Sequence, residues 1–240
     1  MADLTDRVVV VTGAAGGIGS ALARRLHDAG ARLVLTSRDA DRLAALATEL
    51  DGARAGDGGD RVTAVPADLA DEAQVARLYE EVGRRTGHVD ALVNLAGRSI
   101  PGEVADTDVE DYLAVWHSNV TSAFLSSKHV LPLMKPQSGA QVVNVSSLAG
   151  RRPNATAPLY CTAKAALDMF TRAFGLQVRE RGIRVTTLAP GGVDTPFWGD
   201  RPVDRSALMA ADDVVDAVEY VLRTPARVQI SSIELEAFGR

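Results

Sequence analysis

One cysteine, three lysines and no long apolar run set this 240-residue chain apart first by what it lacks. A single cysteine, Cys161, excludes an internal disulfide framework and fits a reducing compartment; it reads as a small apolar filler. Nowhere do about 18 apolar residues run together, so no spanning helix is expected. The opening MADLTDRVVVVTG holds two aspartates and passes directly into an apolar strand, unlike a secretory signal. A cytoplasmic location is therefore expected, and the sequons at Asn119, Asn144 and Asn154 read as irrelevant to glycosylation. With a net charge of -5 and arginines scattered among acids, the chain has no basic field for a phosphate backbone. Nucleic acid is excluded as a partner, and no metal ligand set is assigned.

What is present is an ordinary globular composition, 46% hydrophobic and 24% charged, that predicts one domain over residues 1–240. Short Val, Leu and Ile runs alternate with segments of helical period, the pattern of strands buried on both faces by crossover helices. Strands are predicted at 7–12, 32–37, 62–68, 89–96, 140–147, 183–190 and 228–235, giving an α/β fold with a parallel sheet. Between strands four and five, one helix is predicted from about Val109 and a second from about Asn119 to Met134, stopped by Pro136. A further helix runs from about Pro158 to Arg181, where Gly182 supplies a left-handed cap. The stretch DGARAGDGGD at 51–60 reads as a polar surface connection.

The first strand leads into TGAAGGIGSALARRL, which sets Gly13, Gly17 and Gly19 between a strand and an amphipathic helix. In that context the glycines allow a tight turn, and the helix N-terminus offers its N–H groups to a pyrophosphate. No Lys-Ser or Lys-Thr follows them, so a P-loop for triphosphates fits less well. Where the second strand ends, an acid would bind the 2′-hydroxyl of NAD and a cation the 2′-phosphate of NADP. The chain has Ser37-Arg38 there, so NADP(H) is expected over NAD(H), with Asp39 capping the next helix. Asp68 has two readings, an acceptor for the adenine amino group or a helix cap within DLADE.

Arginine is the default cation of this chain, so each of Lys128, Lys135 and Lys164 calls for a reason. Lys164 follows Tyr160 by four residues, one helical turn, which sets both on one helix face. With TGAAGGIG at 12–19, NLAG at 94–97, Asn119, NVSS at 144–147, YCTAK at 160–164 and PGGVDTP at 190–196, the chain closely resembles the short-chain dehydrogenase/reductases. The pieces occur in that family's order and span about four fifths of the chain. The resemblance implies a Rossmann-like doubly wound sheet in the order 3-2-1-4-5-6-7 and hydride transfer at nicotinamide C4. It implies Tyr160 as general acid/base, Lys164 as its support and ribose ligand, Ser147 as holder of the carbonyl oxygen, with Ser146 a lesser substitute, and Asn119 as holder of a relay water. The bland reading of Asn119 is a helix N-cap. It also implies Ile18, Asn94, Ala96 and Gly97 beside the cofactor, Pro190, Gly191 and Val193 approaching the nicotinamide, and Thr195 bonding its carboxamide. Asn144 is expected to steady its strand. An ammonium about 4 Å from the phenolate would favour it by roughly 4 kcal/mol at an effective dielectric of about 20, opposed by desolvation.

Two departures from the family pattern stand out. Gly16 occupies the place where many NADP-dependent relatives carry an arginine, and the last strand ends ELEAFGR without the Asp-Gly-Gly of tetrameric relatives. The small-residue helix YCTAKAAL resembles the family's dimer surface, so a homodimer or homotetramer is expected. PFWGDRPVDRSALMA would supply a short lid with Phe197 and Trp198 as apolar walls, and one of Arg98, Arg151 and Arg152 is a candidate for an acidic group on the substrate. The expected partner is a small carbonyl or alcohol. A non-catalytic NADP(H)-binding regulator is the alternative, and a sugar-nucleotide epimerase lacks room after Pro190.

Overall fold

The computed structural model describes residues 2–52 and 61–238. Seven parallel strands form one sheet: β1 (Val8–Thr12), β2 (Arg32–Thr36), β3 (Val62–Ala64), β4 (Ala91–Asn94), β5 (Gln141–Val145), β6 (Arg184–Pro190) and β7 (Ser232–Leu235). Their spatial order is β3-β2-β1-β4-β5-β6-β7, as the resemblance implied. The helices are α1 (Gly17–Asp28), α2 (Ala40–Gly52), α3 (Glu72–Thr86), α4 (Val109–Trp116), α5 (Ser122–Val130), α6 (Pro158–Val178) and α7 (Ala211–Leu222).

Alternation along the strands builds two cores. Val9, Val11, Leu33 and Leu35 face α1, α2 and α7, while Val8, Val10 and Val34 face α3, α5 and α6. Burial on both faces explains the unbroken valine run of β1. At the carboxyl ends the apolar layers stop in one register row: Thr36, Thr12, Asn94, Asn144 and Thr187 on β2, β1, β4, β5 and β6. The three in the middle form a chain of hydrogen bonds that begins with Thr12 Oγ1 donating to Asn94 Oδ1 at 3.5 Å. Asn94 Nδ2 donates to Asn144 Oδ1 at 2.8 Å, and Asn144 Nδ2 donates to Thr171 Oγ1 of α6 at 2.9 Å. Asn144 thus steadies the sheet against α6, as expected. β1, β2 and β4 end at that row, while β5 runs on to Val145 and β6 to Pro190, and this sheet end opens into a cleft.

Several predicted boundaries shift for physical reasons. β4 stops at Asn94, two residues early, because the N–H groups of Leu95 and Ala96 turn to Thr12 Oγ1 at 3.1 and 3.3 Å. β3 is only three residues long, and β7 begins at Ser232, since Gln229 Nε2 and Thr186 Oγ1 take carbonyls of the neighbouring segment instead. α5 ends at Val130, not Met134; Pro132 has no N–H to continue it and opens a 3₁₀ turn at Leu131–Leu133. α6 ends at Val178, and a 3₁₀ turn then carries the chain to Gly182 in the left-handed region. The polar connection read at 51–60 lies, from residue 53 on, outside the described residues.

The largest correction concerns Asn119. It does not open a helix, because α4 and α5 are joined without a break through a π turn at His117–Thr121 that contains it. One residue inserted into the helical ladder frees its side chain to turn inward, a device that recurs at functional sites. The N-cap reading falls.

Candidate active site

The cleft at the carboxyl ends of the strands has a volume of about 1630 Å³, larger than the roughly 300–1,000 Å³ that holds one small ligand. It has room for an extended cofactor and a second molecule. Ser37, Arg38 and Asp68 line one end and Ser147, Tyr160, Lys164, Pro190, Gly191 and Val193 the other; the glycine turn of Gly13, Gly17, Ile18 and Gly19 lies between, with Ala96 against Gly13, Thr195 against Gly17 and Gly97 beside Lys164.

The glycine turn follows β1 directly. Gly13 has a φ of 64°, which only glycine adopts cheaply, and a Cβ there would come within 2.9 Å of the Ala96 nitrogen. No side chain caps α1, so its first N–H groups remain available to an anion at the positive end of the helix. Asp39 Oδ1 accepts the Arg42 N–H at 3.0 Å and starts α2, as expected. Asp71, not Asp68, caps α3, accepting the N–H groups of Ala73 and Gln74. Asp68 bonds the Ala70 N–H at 3.0 Å through Oδ1. Arg42 also lines the Arg38 end and was missed in the sequence. Its place in the first turn of the helix that follows Arg38 was the available signal.

At the second end α6 carries Tyr160 and Lys164 on one face. Lys164 is 3% exposed, and its Nζ donates to the Val145 carbonyl at 3.0 Å. That nitrogen lies 5.6 Å from the centre of the Tyr160 ring. Ser147 Oγ donates to the Pro190 carbonyl at 3.2 Å and accepts the Ala149 N–H at 3.1 Å, so the loops after β5 and β6 both fix it. Ser146 instead points away, donating to the Lys164 carbonyl at 3.1 Å. Burial pushes the Tyr160 phenol up to about 12, opposed by its hydrogen bond with Ser147 and by the charge of Arg201. Burial also pulls the Lys164 ammonium down to about 8, with Asp168 opposing. The lowered tyrosine expected from an adjacent ammonium is not what this geometry gives: desolvation exceeds attraction, and the ammonium is turned onto a carbonyl.

Asn119 lies behind the wall that Gly97 forms. Its Nδ2 donates to the carbonyls of Arg98 and Val115, both at 2.8 Å, while its Oδ1 is buried with no protein partner. An orphaned acceptor near Lys164 fits a water held between them. Asn94 does not line the cleft. Its amide is spent on Asn144 and Thr12, so it supports the sheet end rather than touching a ligand.

The candidates for an acidic substrate group separate sharply. Arg151 is absent from the lining and bonds Asp168 at 3.0 Å, Ser232 at 2.7 Å and Glu234. Arg152 lines the cleft but pairs with Glu236 at 2.5 Å. Arg98 lines it exposed. Phe197 is an apolar wall, its ring 5.7 Å from that of Tyr160, while Trp198 is anchored by its Nε1–H to the Val193 carbonyl at 2.8 Å.

The family model for short chain dehydrogenases matches residues 7–205. The chain belongs to the short-chain dehydrogenase/reductase family. Curated relatives agree: uncharacterized oxidoreductases of Staphylococcus saprophyticus and Staphylococcus aureus are each 32% identical, over 237 and 234 residues, with 97% of this chain and 98% of each relative covered. Among solved structures, a Burkholderia cenocepacia short-chain dehydrogenase in complex with NADP aligns with a TM-score of 0.88 at 27% identity, covering 98% of both chains. A Thermococcus sibiricus alcohol dehydrogenase complexed with 5-hydroxy-NADP aligns equally well, at 27% identity, covering 98% of this chain and 97% of that one. This protein is thus an oxidoreductase of a family that binds nicotinamide cofactors. No described helix is long and apolar enough to cross a membrane.

Proposed function

We propose that this short-chain dehydrogenase/reductase is an NADP(H)-dependent reductase of ketones or aldehydes, with Tyr160 as the proton donor. The observation that carries the reading is the meeting of Tyr160, Ser147 and Lys164 in one cleft with the glycine turn and Arg38.

The glycine turn and the uncapped start of α1 would hold the pyrophosphate, and Ser37 and Arg38 the 2′-phosphate, with Arg42 as the second cation that Gly16 cannot supply. Pro190, Gly191 and Thr195 would seat the nicotinamide. When bound, the cofactor supplies hydride from nicotinamide C4. Tyr160 remains protonated at neutral pH and donates its hydroxyl proton to the carbonyl oxygen as carbon is reduced. Ser147 Oγ, still held by the Ala149 N–H, would turn its one proton from the Pro190 carbonyl to the same oxygen and stabilise the charge that develops on it. The phenolate left behind is held by the Lys164 charge, and Asn119 Oδ1 holds the water through which a proton returns. Exposed Phe124, Met169 and Leu176 on α5 and α6 support pairing with a second copy.

The test follows the hydride. NADPH deuterated on the transferring face of C4 is expected to give an alcohol with one deuterium at the carbinol carbon. An unlabelled alcohol, or no product from any ketone or aldehyde, refutes the reading.

A further inference from the structure

One guanidinium at the catalytic end is built differently from its neighbours. Arg151, Arg152 and Arg205 each end on a carboxylate: Asp168 and Glu234, Glu236, and Asp194. Arg201 lines the cleft, yet no carboxylate among the described residues lies within ion-pair distance of it. It is held instead by neutral groups. Its Nε donates to the Trp198 carbonyl at 2.7 Å and an Nη2 hydrogen to the Phe197 carbonyl, while its Cζ stacks 5.0 Å from the Phe197 ring and 4.9 Å from the Trp198 ring. Carbonyls and ring faces fix a guanidinium without neutralising it.

The turn does not need that clasp to form. Gly199 N–H bonds the Pro196 carbonyl at 3.0 Å, and Trp198 Nε1–H already ties the segment to Val193. Three N–H groups of Arg201 are left over, in the planar fork that matches a carboxylate. Position supplies the rest. The Phe197 ring that Arg201 stacks on is the same ring that stands 5.7 Å from Tyr160, so a half-buried, preorganised cation lies one aromatic side chain away from the proton donor. Arg98, the other cleft arginine here without a carboxylate partner, is exposed, and no hydrogen bond fixes its guanidinium among the described residues.

We infer that Arg201 determines substrate specificity by binding a carboxylate, so that the substrates are oxo acids, and in reverse hydroxy acids, whose carbonyl reaches Tyr160 across the Phe197 wall. The inference rests on the reductase reading and narrows it. Sequence reasoning assigned this role to Arg98, Arg151 or Arg152, because pairing across the chain cannot be read from local spacing.

The test compares oxo acids of increasing chain length with their methyl esters, using NADPH and the wild-type, Arg201→Met and Arg201→Lys proteins. For at least one chain length the wild type is expected to favour acid over ester in kcat/KM by tenfold or more, chiefly through KM. Arg201→Met should remove that preference, and Arg201→Lys should restore part of it. Acid and ester share a carbon frame, so a merely loosened turn would lower both and leave the ratio unchanged; that result overturns the inference while leaving the reductase reading intact. Equal use of acid and ester by the wild type also overturns it. So does a rise in the KM for NADPH in Arg201→Met that accounts for the whole loss, which would make Arg201 a cofactor ligand. No turnover of any acid, ester, ketone or aldehyde removes both readings together.

Discussion

Gly97 and Asn119 share one small volume: a Cβ placed on Gly97 would lie 2.6 Å from Asn119 Oδ1 and 3.4 Å from Lys164 Nζ. The π turn carries Asn119 inward, and only a residue without a side chain at 97 leaves room for its acceptor.

Gly97→Ala therefore acts on chemistry more than on folding. The methyl group forces the Asn119 side chain from its place, at a cost of about 1–3 kcal/mol. Turnover is expected to fall at least tenfold, with the circular dichroism spectrum unchanged and NADPH still bound. An unaffected kcat would show that the Asn119 side chain is not used.

Burial of Lys164 opposes stability. Its pKa falls from an unfolded value near 10.5 to about 8, so the unfolded chain binds the proton more tightly, and folding bears the full cost below pH 8. Removing the amine removes that cost. Lys164→Met is expected to be inactive yet more stable at pH 7, by roughly 1–3 kcal/mol. The gain should shrink as pH rises from 8 towards 10.5. Denaturant melts at pH 7 and pH 10 check both the sign and the trend.

The same shift sets the rate profile. Reduction needs Tyr160 protonated, which holds up to about 12, and Lys164 charged, which is lost above about 8. The kcat/KM for ketone reduction should decline with rising pH through about 8. A profile flat to pH 10 would separate Lys164 from the proton transfer.

On the proposed reading Arg38 carries a preference for NADPH. Arg38→Ala removes a charge-assisted bond worth about 1.5–3 kcal/mol, so the ratio of kcat/KM for NADPH over NADH should fall by roughly 10–100-fold. Arg42→Ala is expected to give a smaller fall in the same direction. A wild type that prefers NADH would contradict both roles.

Much of this architecture is local and so legible in the chain. A glycine turn between a valine run and an amphipathic helix, and a Tyr and Lys one helical turn apart, each state their geometry within a few residues; parallel direction follows from the crossovers, and the strand order from the family resemblance. What escaped is not local. The π turn depends on Asn119 finding the Arg98 carbonyl across the fold, and the loss of Asn94 from the cleft depends on Asn144, fifty positions later. The early stop at Val130 was legible in Pro132. The role inferred for Arg201 emerges only once Asp168 and Glu234 are seen to engage Arg151, and Glu236 to engage Arg152.

The central claim is that Tyr160 donates the proton in an NADPH-dependent carbonyl reduction. The direct measurement follows the near-ultraviolet absorbance of NADPH with a panel of ketones, aldehydes and oxo acids, for wild type and Tyr160→Phe. Turnover by the wild type that falls by 10²-fold or more in Tyr160→Phe, with NADPH binding retained, is the predicted result. Turnover that survives loss of the hydroxyl would contradict the account.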